Sequence, residues 1–189
     1  MIAQHVLQVN TVRRNLALHG KRLVVLLVPM KITLYPEFSP FAPPQHNEAL
    51  YADFLSQLRQ QGVGVVDTRP SLQNARAQGD IFIRTDTHWT PLAAQVAANS
   101  LAEQFPELRG DTDFTTQQVG DHQVVGDLLN FILFSPTLAP EYFEPVKLPL
   151  YETQRSDFGA PITRARLFGD QSPATVLVGT SYTQISYLN

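Results

Sequence analysis

The chain has 189 residues, 43% of them hydrophobic and 16% charged, with a formal net charge of -3. That length suits one domain with a sizeable core, and the charge, with no basic run interleaved with aromatics, leaves no nucleic-acid footprint. There is no cysteine, which excludes disulfides, thiolate catalysis and cysteine-ligated metals. The same net charge gives an anionic polymer no long-range steering, although a local basic groove can still hold one.

Ile2, Val6, Val9, Val12 and Leu16 recur at helical spacing, so a helix is predicted over residues 2–18, with Gly20 as its stop. Leu23 to Val28 is rich in β-branched residues and closed by Pro29, the pattern of a strand buried on both faces. The apolar run to Met30 is too short to span a bilayer and has no small-residue cleavage site behind it. It reads as a core strand, and any export signal is expected outside this sequence. Pro36, Pro40, Pro43 and Pro44 argue against regular structure over residues 35–45. Leu50, Phe54, Leu55 and Leu58 mark a second helix over residues 46–60, ended by Gly62.

Val63 to Asp67 reads as a second buried strand, Thr68-Arg69-Pro70 as its exit turn, and residues 71–78 as a short helix. Ile81-Phe82-Ile83 is expected to be a short strand leading into Arg84-Thr85-Asp86-Thr87-His88-Trp89. Thr90 then caps a helix with Pro91 at its first position, its buried stripe expected at Leu92, Val96, Leu101 and Phe105. Pro106 and Gly110 close that helix. Thr112 to Val119 alternates weakly and suits a strand, and Gly126-Asp127-Leu128-Leu129 a short turn or helix. Five prolines between residues 135 and 161 suggest irregular or β-rich structure, so residues 111–170 read as an insertion within a single domain spanning 1–189. Ala174 to Val178 is expected to be the last core strand, ending in Gly179-Thr180-Ser181. Helices alternating with short apolar strands place the chain in the α/β class.

Two segments carry chemistry. A hydroxyl nucleophile needs a base, and the base needs an acid to hold its tautomer. Ser181 offers the first, His88 the second and Asp86 the third. If residues 86–88 are extended, Asp86 and His88 point the same way and their side chains can converge. Ser181, at a turn after a strand, can expose its hydroxyl and lend its own amide to an oxyanion. The plainer readings stay open: Asp86 capping a turn, His88 packing beside Trp89, and Ser181 capping a strand end. Asp86-x-His88 is also a possible pair of metal ligands, but Asp121, His122 and Asp127 complete no zinc-type spacing. No metal and no cofactor are expected. His5, His19 and His46 read as surface or helix-face residues. Arg84 and Lys31 suit an anionic substrate or a sheet edge equally. Gly126-Asp127 is either a loop against the site or a cap.

Val28-Pro29-Met30-Lys31, Tyr35-Pro36-Glu37, Val66-Asp67-Thr68-Arg69-Pro70, Arg84-Thr85-Asp86-Thr87-His88-Trp89-Thr90, Gly126-Asp127-Leu128 and Val178-Gly179-Thr180-Ser181-Tyr182 together resemble a known family. It is the SGNH-hydrolase-like domain of the alginate O-acetyltransferases of the AlgX/AlgJ type, and the likeness covers roughly residues 20–189. The resemblance implies a three-layer, flavodoxin-like α/β sandwich with a mainly parallel sheet. It implies a permuted motif order, with the Asp-x-His pair before the serine. It implies Ser181 as nucleophile, His88 as base and Asp86 as orienter. It further implies a periplasmic protein, soluble or tethered to the inner membrane, that acetylates an exported polysaccharide. Its partners would be the polysaccharide acceptor and an acetyl donor, with a membrane acetyltransferase as one source. A targeting segment and the fold beyond Ser181 are missing, so a fragment is expected. A carbohydrate acetyl esterase and a non-catalytic polysaccharide-binding or scaffold fragment are the alternatives.

Overall fold

In the computed structural model, residues 2–41, 45–110, 113–131, 136–137, 140–156 and 175–183 are described, residues 45–48 by their backbone only. Pro43, Pro44, the His46 side chain, residues 157–170 of the expected insertion, residues 171–174 and everything after Thr183 lie outside them. The chain divides into two compact units, Met1–Gly79 with Gln95–Gln104, and Asp80–Ala94 with Phe105–Asn189.

The first unit grows from two helices and a strand pair. Helix α1 (Ile2–Leu18) ends before Gly20, whose φ of 65° lies in the left-handed region that glycine adopts without a Cβ penalty. Strand β1 (Val24–Leu27) follows, then the one-turn helix α2 (Lys31–Leu34). Pro36 opens a 3-10 turn (Pro36–Phe38), so the proline-bearing loop is more ordered than expected: proline suits the first helical position, where no N–H is needed. Helix α3 (Gln45–Gln60) stops at Gly62, whose φ is 71°, and strand β2 (Gly64–Asp67) runs parallel to β1, with Val25 opposite Val65 and Leu27 opposite Asp67. This is a strand–helix–strand unit, the connection that parallel pairing requires.

Val6 of α1, Leu55 and Leu58 of α3, Val63 just before β2 and Val65 within it form one core, with Ile2, Val9, Val25, Leu27, Tyr51 and Phe54 around it. Burying a side chain such as Leu58 fully is worth about 1.5–3 kcal/mol. The β1 residues are all half-buried rather than buried, because among the described residues β1 pairs only with β2. The carboxyl ends of both strands are tied. The Thr68 hydroxyl donates to the Leu27 carbonyl at 2.5 Å, and the Tyr51 hydroxyl donates to Asp67 Oδ1 at 2.9 Å. Burial, then the Asp67 contact, push the Tyr51 phenol well above its ordinary pKa. Helix α4 (Arg69–Ala75) starts two residues earlier than expected, with Pro70 in its first turn, and Arg76 beyond it pairs with Glu37.

The second unit holds a loop, a ribbon and the start of helix α5 (Pro91–Gln104). The Thr90 hydroxyl accepts from the Ala93 amide at 3.4 Å, the expected cap. The buried positions of α5 are Pro91, Ala93, Ala97 and Ser100, whereas the larger Leu92, Val96 and Leu101 are half-buried. Small side chains permit a close backbone approach that leucine or phenylalanine would block. Strand β3 (Phe114–Val124) pairs antiparallel with β4 (Val146–Arg155), with a register shift between Gln118 and Gly120. Helix α6 (Pro140–Phe143) precedes β4. The ribbon is mostly exposed, but at one end Leu148, Val124, Val146 and Leu150 pack on Ile83. Ile83 is the root of the loop that carries Asp86 and His88.

Thr175 to Gly179 form no strand, and Val176, Leu177 and Val178 are 68–87% exposed. The apolar, β-branched run predicted a core strand there. A strand needs a neighbour to take its backbone hydrogen bonds, and among the described residues none pairs with this one. The described residues therefore show an α/β fold with one parallel and one antiparallel strand pair.

Candidate active site

The site begins with a tight loop. A single bridge joins Phe82 to Trp89, where a short strand was expected at 81–83. The Thr90 amide donates to the Ile81 carbonyl at 2.9 Å and the Ile83 amide to the His88 carbonyl at 3.1 Å. The Thr90 hydroxyl donates to the Asp80 carbonyl at 2.6 Å. Ile81, Phe82, Ile83, Trp89 and Thr90 are buried, so the stem is rigid and the tip is presented by packing. Within the tip the Asp86 amide donates to the Ile83 carbonyl at 3.1 Å, and Asp86 Oδ1 accepts the His88 amide at 2.8 Å. This is a turn closed by an aspartate side chain two residues back. Asp86 and His88 do converge, but through that turn and not through an extended segment.

Ser181 comes from the other end of the unit. It is the first residue of a 3-10 turn (Ser181–Thr183), closed by the Thr183 amide donating to the Thr180 carbonyl at 2.9 Å. At Gly179 a Cβ would meet the Thr183 side chain, which would have to turn aside to admit it. Tyr182 reaches across and donates its hydroxyl to the Thr87 carbonyl at 2.7 Å. Its ring lies 5.2 Å from the His88 ring and meets Trp89 edge-on at 5.4 Å. Trp89 is thus buried wall.

These supports bring the three residues into one chain of hydrogen bonds. His88 Nδ1 lies 2.6 Å from Asp86 Oδ1, and His88 Nε2 lies 2.9 Å from Ser181 Oγ, 93 positions away in sequence. A carboxylate only accepts, so Nδ1 carries the hydrogen. Nε2 of the neutral ring then accepts, and the Ser181 hydroxyl donates to it. Burial favours the protonated form of Asp86. The His88 and Asp127 amides and the His88 ring outweigh that, holding the carboxyl below its ordinary range. Ser181 itself is exposed.

Asp127 stands beside this chain, in a 3-10 turn (Asp127–Phe131). Asp86, His88 and Asp127 each place one ligand-type atom within 4.8 Å of the others. All four carboxylate oxygens already accept from protein N–H or O–H groups, and Nδ1 faces Asp86. That is the pattern of a hydrogen-bonded network. Asp121 instead pairs with Lys147 at 2.7 Å, and His122 lies on the ribbon opposite Leu148. His5 contacts Gln8, His19 contacts the Asn15 carbonyl, and Arg84 donates to the Glu141 carbonyl at 3.1 Å. Thr85 Oγ1 and Trp89 Nε1 are buried with no hydrogen-bond partner among the described residues.

The sequence matches the family described as SGNH hydrolase-like domain, acetyltransferase AlgX, over residues 1–189. The chain belongs to this family. It is 34% identical over 194 residues to a protein of Pseudomonas putida named probable alginate O-acetylase AlgJ, covering 100% of this chain and 50% of that protein. The chain spans about half the length of the curated relatives it matches. Among solved structures it resembles the O-acetyltransferase domain of P. putida AlgJ, with a TM-score of 0.74 and 34% identity, over 82% of this chain and 57% of that one. It also resembles AlgX of Pseudomonas aeruginosa, with a TM-score of 0.64, 20% identity and coverage of 87% and 40%. At that identity the likeness to AlgX speaks for the fold alone. Family membership explains why the two short motifs occur together. It leaves the roles of Thr87 and Tyr182 to the geometry, for neither side chain has an intrinsic chemistry that flags it from sequence.

Proposed function

We propose that the chain is the catalytic part of a serine-dependent O-acetyltransferase. It would move an acetyl group through an acetyl-Ser181 intermediate to hydroxyls of an exported polysaccharide such as alginate. The observation that carries the reading is the Asp86–His88–Ser181 relay, with links of 2.6 and 2.9 Å. The names of the relatives supply the substrate class.

In the first step Ser181 Oγ attacks the carbonyl carbon of an acetyl ester while His88 Nε2 takes the serine proton. Charge collects on the carbonyl oxygen, where the Ser181 amide, first in its turn and without a hydrogen-bond partner among the described residues, is a ready donor. The donor's alcohol leaves with the proton from His88. In the second step a sugar hydroxyl gives its proton to His88 and attacks the acetyl-serine. Ser181 leaves and recovers that proton. Asp86 stabilises the imidazolium in both steps. The exposure of Ser181 also admits water as acceptor, which is the esterase alternative.

Among the described residues no helix is long and apolar enough to cross a membrane. We place the activity in the periplasm, with a membrane acetyltransferase as the physiological donor. We read residues 1–189 as one SGNH-like domain, with 111–170 inserted and the Asp-x-His pair preceding the serine. The strand–helix–strand unit and the likeness to the AlgJ domain support a three-layer, mainly parallel arrangement.

The test is mass spectrometry after incubation with an activated acetyl ester, beside Ser181→Ala. An added acetyl group on Ser181, transferred to an oligouronate faster than to water, is the expected result. A folded chain that never acquires the adduct would overturn the enzymatic reading in favour of glycan binding or scaffolding. An adduct that decays only by hydrolysis would make it an esterase.

A further inference from the structure

Asp127 is bound to the loop that carries the acid and base by both its side chain and its backbone. Its Oδ1 accepts the Thr87 amide at 2.7 Å and its Oδ2 accepts the Thr87 hydroxyl at 2.6 Å. Its own amide donates to Asp86 Oδ2 at 2.9 Å. The next amide, Leu128, donates to the Thr85 carbonyl at 3.1 Å. Residues 126–128 therefore form a strap along residues 85–87. Gly126 allows it to lie that close, since a Cβ there would overlap the Thr85 carbonyl.

We propose that Asp127 is a positioning residue for the triad, acting on Asp86 and His88 through Thr87 and through its own amide. The proposal rests on the acetyl-transfer reading of the site. A carboxylate can rotate about its Cβ–Cγ bond, and then Oδ1 no longer aligns with His88 Nδ1. Here Oδ1 is held by His88 and Oδ2 by the Asp127 amide, so the rotation is locked. That amide is in turn located by the Asp127 side chain gripping Thr87. Thr87 has all its polar groups engaged, because its carbonyl accepts the Tyr182 hydroxyl beside Ser181. Thr87 is thus the hub that joins the strap, the acid–base pair and the nucleophile's turn. An aspartate whose side chain is about a third exposed, with both oxygens accepting from Thr87 and Oδ2 also 3.9 Å from His88 Nδ1, suits holding geometry better than filling a core.

The test measures Ser181 acetylation by an activated acetyl ester in the full chain, for wild type, Asp127→Ala, Asp127→Asn and Thr87→Val. Misplacing reacting groups by about 1 Å costs on the order of 100-fold, so Asp127→Ala should lower kcat by about that factor. KM for the ester should stay within about 2-fold, because the residue does not touch substrate. Asp127→Asn keeps one acceptor for Thr87 and should recover about 10-fold of the loss. A double variant with Thr87→Val in the Asp127→Ala background should lose little more than Asp127→Ala alone, since the hydroxyl contact that Thr87→Val removes is already gone there. If Asp127→Ala fails to fold by circular dichroism, Asp127→Asn and Thr87→Val carry the same comparison. An unchanged kcat, a loss confined to KM, or fully additive losses would overturn the positioning role. Wild type that is folded yet acquires no adduct would overturn the transfer reading, and this proposal with it, while wild-type labelling matched by every variant overturns this proposal alone.

Discussion

Replacing Asp86 by Asn tests the relay at its least obvious member. Asp86 Oδ1 accepts both the His88 amide at 2.8 Å and Nδ1–H at 2.6 Å, and Oδ2 accepts the Asp127 amide at 2.9 Å. Asparagine has one acceptor oxygen and one NH2 donor. With its oxygen toward His88, the NH2 faces the Asp127 amide, a donor against a donor, at a cost of about 1–3 kcal/mol. With its oxygen toward Asp127, the NH2 faces Nδ1, which must then accept. Nε2 would carry the hydrogen and could not take the Ser181 proton. Both arrangements also remove the charge that stabilises the imidazolium. The expected loss in the rate of Ser181 acetylation is about 10³- to 10⁴-fold, or about 4–5.5 kcal/mol of barrier. The assay is single-turnover release of the leaving group, with the acetyl-protein confirmed by mass. A variant that acetylates Ser181 within about 10-fold of wild type would refute the assignment of Asp86 as orienter.

The same substitution has a pH signature. The folded-state pKa of Asp86 lies below its unfolded value, so the folded state holds that proton less readily. Its contribution to stability is then full above the ordinary carboxylate pKa of about 4 and is lost as pH falls through the folded value. Thermal melts of wild type should therefore lose stability below about pH 4 more steeply than those of Asp86→Asn. Equal slopes would mean that Asp86 is no better held in the folded chain than in the unfolded one.

Tyr182→Phe removes the hydroxyl that joins the Ser181 turn to Thr87 at 2.7 Å, and should cost about 0.5–1.5 kcal/mol of stability together with a fall in the acetylation rate. An ultraviolet titration should find the Tyr182 phenol ionising above its ordinary range, because burial and then the Asp127 and Asp86 charges oppose a phenolate. Gly126→Ala places a Cβ on the Thr85 carbonyl, which is backbone and has nowhere to flex, so the strap must move away and acetylation should fall. Wild-type activity in Gly126→Ala would show that the strap does not bear on the relay.

The helices were legible because their signals are local. Apolar spacing and the glycines at 20 and 62 outlined α1 and α3, and Thr90-Pro91 announced α5. The strands were half legible. Val24–Leu27 and Gly64–Asp67 paired as their apolar content suggested, whereas residues 176–178, equally apolar, stand exposed without a partner among the described residues. Strand formation depends on a neighbour that may lie anywhere in the chain, so composition alone does not decide it. The face of α5 was misjudged because large residues signal burial, whereas here Ala93, Ala97 and Ser100 are buried and Leu92, Val96 and Leu101 are half-buried.

Residue chemistry offered Ser181, His88 and Asp86 as nucleophile, base and tautomer anchor beside plainer readings, and the family resemblance implied those roles. It did not show that they meet. A separation of 93 positions is closed where two locally built pieces, the buried stem at 81–90 and the Ser181 turn, meet through Tyr182, whose hydroxyl reaches the Thr87 carbonyl and whose ring lies against His88 and Trp89. Asp127 was legible from sequence as either part of a loop against the site or a cap, with no contact to Thr87 or Asp86 indicated. Its place against Thr87 and Asp86 arises from folding residues 126–128 onto 85–87. Local preference acts over a few residues and so writes helices, caps and candidate groups. The 2.6–2.9 Å geometry that makes those groups a relay is set by packing, which no local pattern encodes.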